Sequence, residues 1–185
     1  MTGPVVFLDR DGTLNPDPGY IASLDQYEFY DDALDALELL TSRGFRFAVA
    51  TNQSGVARGL IERSRLEEIH RFIAFEMDKR GIPLLGIYAC NHAPEDGCSC
   101  RKPGTGLFEQ VAADHSVRLE ESYMIGDSVR DMQAGKALGM KTFLVRTGRG
   151  KLAEKELSEM NLEVDFIGDT LMDCARHIVS QEVSV

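Results

Sequence analysis

Four cysteines in 185 residues are too few for a disulfide scaffold, and three of them crowd between positions 90 and 100 beside His92, a clustering that reads as metal. Basic residues are also in deficit. Twenty Lys and Arg stand against 30 Asp and Glu, a net charge of −10, and so acidic a surface repels a polyphosphate backbone, which excludes nucleic acid as the expected partner. No stretch approaches the roughly 20 apolar residues of a membrane span. The opening MTGPVVFLDRDG has no basic n-region, and its apolar run from Val5 to Leu8 is too short for an export signal. A cytoplasmic protein with no membrane attachment is expected. Neither GxGxxG nor GxxxxGKS/T occurs, so a dinucleotide or nucleoside triphosphate has no fingerprint here. Repeats, low-complexity tracts and long Pro/Gly/Ser linkers are missing too. One domain over residues 1–185 with a small insert at 90–100 is the expectation, and, with no long apolar stripe left over, a monomer.

A hydrophobic content of 43% is enough to bury a sizeable core. Its distribution gives the class. Short apolar runs at 4–8, 45–50, 84–89, 122–126, 141–145 and, more weakly, 164–167 alternate with segments of helical period. Ala33, Leu37 and Leu40 share one helical face, and Leu66, Ile69, Ile73 and Met77 share another. Further helices are expected over 106–114, 131–138, 151–160 and 170–180. The alternation predicts an α/β fold, a doubly wound and mostly parallel sheet with helices on both faces.

Ligands of such sheets sit outside the carboxyl ends of the strands, and the polar motifs of this chain follow its apolar runs. The first run ends in Asp9-Arg10-Asp11-Gly12-Thr13, the second in Thr51-Asn52-Gln53-Ser54-Gly55 and the fourth in Gly126-Asp127-Ser128, with Asp131 one turn further; Arg101 and Lys102 follow the third. Carboxylates from two strand ends would repel one another unless a hard cation sat between them, and Mg²⁺ suits an oxygen site of carboxylates, waters and phosphate oxygens. A hydroxyl with adjacent backbone N–H groups at Thr51 and an ammonium at Lys102 are the parts that hold a phosphoryl group, so the sum is phosphoryl transfer. An aspartate nucleophile fits, since a carboxylate can form an aspartyl-phosphate. Cys90, His92, Cys98 and Cys100 make a complete tetrahedral Zn²⁺ set with no open position, hence a structural site that folds an otherwise coreless loop beside Arg101 and Lys102.

These four ordered motifs resemble those of the haloacid dehalogenase superfamily of phosphatases, over roughly residues 5 to 147. Within it, VATNQSGVARG, the CxHxxxxxCxCRKP block and VRTGRG are similar to the phosphatases of manno-heptose bisphosphates and, less closely, to histidinol-phosphate phosphatases. The resemblance implies a Rossmann-like fold in which a small zinc-bound loop replaces a large cap, and a Mg²⁺-dependent phosphomonoesterase. Its expected substrate is a phosphosugar, D-glycero-D-manno-heptose 1,7-bisphosphate, hydrolysed at C7. It implies that Asp9 is the nucleophile, that Asp11 is the general acid and base, and that Mg²⁺ is held by Asp9, the Asp11 carbonyl and Asp127. Thr51 and Asn52 would bind the phosphoryl group, Lys102 would balance its charge, and Arg101 would touch the sugar or its second phosphate. Asp131 would orient Lys102 or a metal-bound water. Where relatives carry KPxPG, this chain has Lys102-Pro103-Gly104-Thr105-Gly106, which predicts a looser loop.

Histidinol-phosphate hydrolysis, a phospho-aspartate switch and a non-catalytic zinc module remain the alternatives. Arg58, Arg146 and Arg149 follow loops within reach of the site and are not assigned to it. His70, His115 and His177 are assigned to surface or packing, and Cys174 to the core.

Overall fold

The first strand, β1 (Val5–Leu8), is buried along its whole length, and its period of two sends Val6 and Leu8 into one hydrophobic cluster and Val5 and Phe7 into another. A strand with two apolar faces needs helices on both sides. The computed structural model, which describes residues 4–182, places them there. Strands β2 (Arg46–Asn52), β3 (Leu84–Cys90), β4 (Tyr123–Gly126), β5 (Lys141–Val145) and β6 (Phe166–Gly168) join β1 in one sheet of order β3-β2-β1-β4-β5-β6. Every pairing is parallel. Helices α1 (Ala33–Thr41), α2 (Arg63–Lys79) and α6 (Leu171–Glu182) bury Leu37, Ile73 and Ile178 with Val6 and Leu8. Helices α3 (Gly106–His115), α4 (Val129–Ala137) and α5 (Gly150–Glu159) bury Phe108, Met132 and Leu157 with Val5 and Phe7. The expected doubly wound α/β fold is what forms.

Most boundaries lie within one or two residues of the sequence expectation, and three of the shifts have a local reason. β2 runs on to Asn52 because Thr51 and Asn52 pair with Ala89 and Cys90 of β3. α4 begins at Val129 because Ser128 caps it: the Asp131 carboxylate accepts from Ser128 N and Oγ, at 3.1 and 2.7 Å, a reciprocal box that satisfies the first turn. The last strand starts at Phe166, since the Asp165 side chain is taken by Thr142 N at 2.8 Å and Lys136 Nζ at 2.9 Å. No helix among the described residues is long and apolar enough to cross a membrane.

Candidate active site

Strand order reverses between β1 and β4, and at such a switch point the loops after the strands part to leave a crevice. Asp9 leaves β1 there and Asp127 leaves β4 beside it. Close approach of the backbone is required. Gly12 has φ +84° and Gly148 φ +53°, and a Cβ at either position would run into the Asp127 carboxylate. At Gly126 it would meet the carboxylate of Asp131.

The centre of the crevice is a charge cluster. Oxygens of Asp9, Asp127 and Asp131 lie within 4.8 Å of one another. Lys102 reaches in from the far side, its Nζ 2.9 Å from Asp9 and 2.6 Å from Asp131, with only 2% of its side chain exposed. Burial works against that ammonium, but Asp131 and Asp9 outweigh it and hold Lys102 above the usual lysine range. Burial, then the charge of Asp131, pushes the Asp9 carboxyl up to about 7 against the pull of Lys102. Burial, with Asp9 and Asp131 behind it, pushes Asp127 up to about 8, although Asp127 accepts from Arg149 N at 2.8 Å. One ammonium does not neutralise three carboxylates, two of them buried and the third nearly so. The oxygen-only donor set and the mutual repulsion of Asp9 and Asp127 fit a hard divalent cation.

Asp11 is not in that cluster; its carboxylate turns the other way. Arg10 Nε and Nη2 each donate to it at 2.9 Å, Gln53 Nε2 donates at 2.8 Å and Asn15 Nδ2 at 2.9 Å. Arg10, Gln53 and Asn15 thus hold the Asp11 side chain apart from the carboxylate cluster. Thr51 is buried, and its Oγ1 accepts from Gln53 Nε2 at 2.9 Å, which keeps its own hydrogen available for an anion. Asn52 spends its side chain on Lys102: Oδ1 accepts from Lys102 N at 3.0 Å and Nδ2 donates to Lys102 O at 3.1 Å. The second Nδ2 hydrogen and the main chain of Asn52 are what it has left for a phosphoryl group. Asp131 touches Lys102 directly, as orienting that lysine requires, and it also lies in the carboxylate cluster with Asp9 and Asp127.

After β3 the chain folds its four soft ligands onto one point. Cys90 Sγ lies 3.6 Å from both His92 Nδ1 and Cys98 Sγ, while Cys100 Sγ lies 3.2 Å from His92 Nδ1 and 3.5 Å from Cys98 Sγ. A zinc tetrahedron with Zn–S bonds of about 2.3 Å has edges of about 3.8 Å, so small outward shifts would admit the ion. The loop that follows is tighter than expected from its sequence. Gly104 N donates to Arg101 O at 2.7 Å and Gly106 N to Ser99 O at 3.1 Å, and a Cβ on Gly104 would strike both carbonyls. Glycine here permits closure instead of adding slack, and it ties the cysteine cluster to Arg101 and Lys102.

Together these loops enclose a cleft of about 420 Å³. Asp9, Asp11, Thr51, Asn52, Lys102 and Asp127 form its floor, with Arg58, Arg101, Arg130 and Arg149 among the remaining lining. Four arginines make a local cationic surface on an acidic protein. Arg101 Nη1 is buried with no protein partner. Arg58 and Arg149 thus line the cleft, although the sequence reading does not assign them to the site, and Arg130 joins them; its position two residues after Gly126-Asp127-Ser128 is the signal for it. Arg146 does not, because Glu154 and Asp169 bind it at 2.7 and 3.0 Å. Gln53, Asn15 and Arg10, which hold Asp11, were not singled out by sequence reasoning either.

Comparison with known proteins places this geometry. A HAD-hydrolase-like family model matches residues 99–174. The D-glycero-beta-D-manno-heptose-1,7-bisphosphate 7-phosphatase of Haemophilus ducreyi is 37% identical over 186 residues, covering 96% of this chain and all of that protein. The Escherichia coli K12 protein of the same name is 36% identical, with 97% and 95% covered. Among solved structures, the D,D-heptose 1,7-bisphosphate phosphatase of B. bronchiseptica, complexed with magnesium and phosphate, superposes with a TM-score of 0.88 at 33% identity, covering 97% of this chain and 99% of that one.

Proposed function

The chain belongs to the D-glycero-beta-D-manno-heptose-1,7-bisphosphate 7-phosphatase family of haloacid-dehalogenase-like hydrolases, and on that premise we propose that it removes the C7 phosphate of D-glycero-D-manno-heptose 1,7-bisphosphate. The observation that carries this reading is Asp9, its Oδ1 fixed by Arg10 N at 2.7 Å and Lys102 at 2.9 Å, on the floor of an arginine-lined cleft. An Asp9 carboxylate oxygen attacks the C7 phosphorus, the bond from phosphorus to the sugar oxygen breaks, and Asp11 gives that oxygen its proton. Water then attacks the aspartyl-phosphate, Asp11 takes up the water's proton, and Asp9 is released with inorganic phosphate. Thr51 Oγ1, the Asn52 main chain and Lys102 hold the phosphoryl oxygens, with Asp131 keeping Lys102 in line. Asp9, the Asp11 carbonyl and Asp127 would hold Mg²⁺, which supplies charge neutralisation for the phosphoryl group. The cationic wall, Arg101 first, suits a second phosphate at the far end of the substrate. Residues 1–185 act as one catalytic domain, with the loop 90–100 as its small cap. The substrate reading is tested by kcat/KM with Mg²⁺. The heptose bisphosphate is expected to exceed histidinol phosphate by roughly a hundredfold, since an unmatched buried cation costs an analogue that lacks the anion; equal or reversed values would overturn it.

Zn²⁺ is assigned to Cys90, His92, Cys98 and Cys100, and its role is to hold Arg101 and Lys102 in register. Replacing Cys98 by Ser leaves three ligands, so metal analysis should fall from one zinc per chain to near none. Phosphate release should drop by roughly tenfold or more, because an ångström of misplacement is costly. The sheet buries its own core without the loop, so the far-UV circular dichroism of the variant should match that of the native protein.

A further inference from the structure

We propose that His70 is a positioning residue for the leaving-group step, holding Arg10 so that Arg10 holds Asp11. Arg10 is 0% exposed and is the largest fully buried side chain among the described residues. Two of its nitrogens grip the Asp11 carboxylate at 2.9 Å, and the third, Nη1, lies 3.2 Å from His70 Nε2 in the middle of α2, 60 residues away. A guanidinium only donates. His70 Nε2 is therefore the acceptor, and the ring proton sits on Nδ1. Burial, then the adjacent guanidinium, pushes His70 down to about 3, so the neutral accepting form is the one present near neutral pH. The Arg10 end of this contact is fully buried and His70 is half-buried, so the hydrogen bond is made largely out of water. Without His70, Nη1 would have no acceptor and the guanidinium could swing off the Asp11 axis.

The inference rests on the phosphatase reading, with Asp11 as the proton donor to the departing sugar oxygen. A misplaced donor matters for an alkoxide leaving group and hardly at all for p-nitrophenolate, which departs without a proton. kcat/KM reports only the steps up to leaving-group departure, so later hydrolysis of the aspartyl-phosphate does not blur the comparison. The test measures kcat/KM of the native chain, His70→Leu, His70→Asn and His70→Gln, with Mg²⁺, on the heptose bisphosphate and on p-nitrophenyl phosphate. A Gln amide oxygen reaches the place of Nε2; an Asn oxygen stops short. The Leu and Asn variants are expected to lose roughly tenfold or more on the sugar ester and less than about twofold on the aryl ester, with Gln close to native on both. Asn keeps a polar side chain at a half-buried position and serves where Leu fails to fold. Equal losses on both esters, or no loss on either, would overturn the positioning role. A native chain that hydrolyses neither ester would overturn the phosphatase reading and this inference with it.

Discussion

Replacing Asp9 by Asn is expected to abolish phosphate release, by roughly four orders of magnitude or more, while the protein stays folded. The size follows from the role: an amide is not a nucleophile towards phosphorus, and groups that act as a unit lose nearly everything when one is removed. The fold should tolerate the change. Asp9 packs with two other carboxylates within 4.8 Å, and burial and Asp131 together push its carboxyl up to about 7. Removing one negative charge from that group relieves repulsion while the Asn oxygen still accepts from Arg10 N. A single-turnover assay with urea denaturation beside it separates the two effects. A variant with unchanged stability and more than a hundredth of native activity would show that Asp9 is not the attacking group.

Lys102→Met removes the cation that binds both Asp9 and Asp131, and it should cost both stability and rate. The ammonium is 2% exposed and lies 2.9 and 2.6 Å from its partners. Deleting one member of such a buried set strands the others, at a cost of about 3–5 kcal/mol. Removing a preorganised charge from a developing phosphoryl transition state should lower kcat by roughly a hundredfold to a thousandfold. The two losses have different cures. Pairing Lys102→Met with Asp131→Asn removes the stranded carboxylate, so the double variant should regain much of the stability and none of the rate. Recovery of activity in the double variant would mean that Lys102 serves the fold alone.

The parts of the site legible in the sequence are those whose position is set by a strand end. Asp9, Thr51 and Asp127 each stand at the end of an apolar run, and a parallel sheet brings such residues to one edge whatever lies between them. The cysteine and histidine spacing is local and could be read for the same reason. What could not be read are the pairs that form across the fold. Gln53 reaches Asp11 over 42 positions, and Asn52 reaches Lys102 over 50, so the phosphate-loop asparagine also fixes the lysine's main chain. His70 carried a signal that was passed over: it lies four residues after Leu66 and three before Ile73, on the buried face of α2, where an imidazole needs a partner. The loop after Lys102 is the opposite case. Thr105 where KPxPG has its second proline predicts slack, whereas the carbonyls of Ser99 and Arg101 crowd Gly104 and leave no room there for a side chain.

The most direct measurement is phosphorus NMR of manno-heptose 1,7-bisphosphate incubated with the purified chain and Mg²⁺. The account predicts that the resonance of the C7 ester disappears with the growth of inorganic phosphate while the anomeric phosphate at C1 persists, and that Asp9→Asn leaves both untouched. Loss of the anomeric phosphate first, or survival of both esters with the native chain, would contradict it.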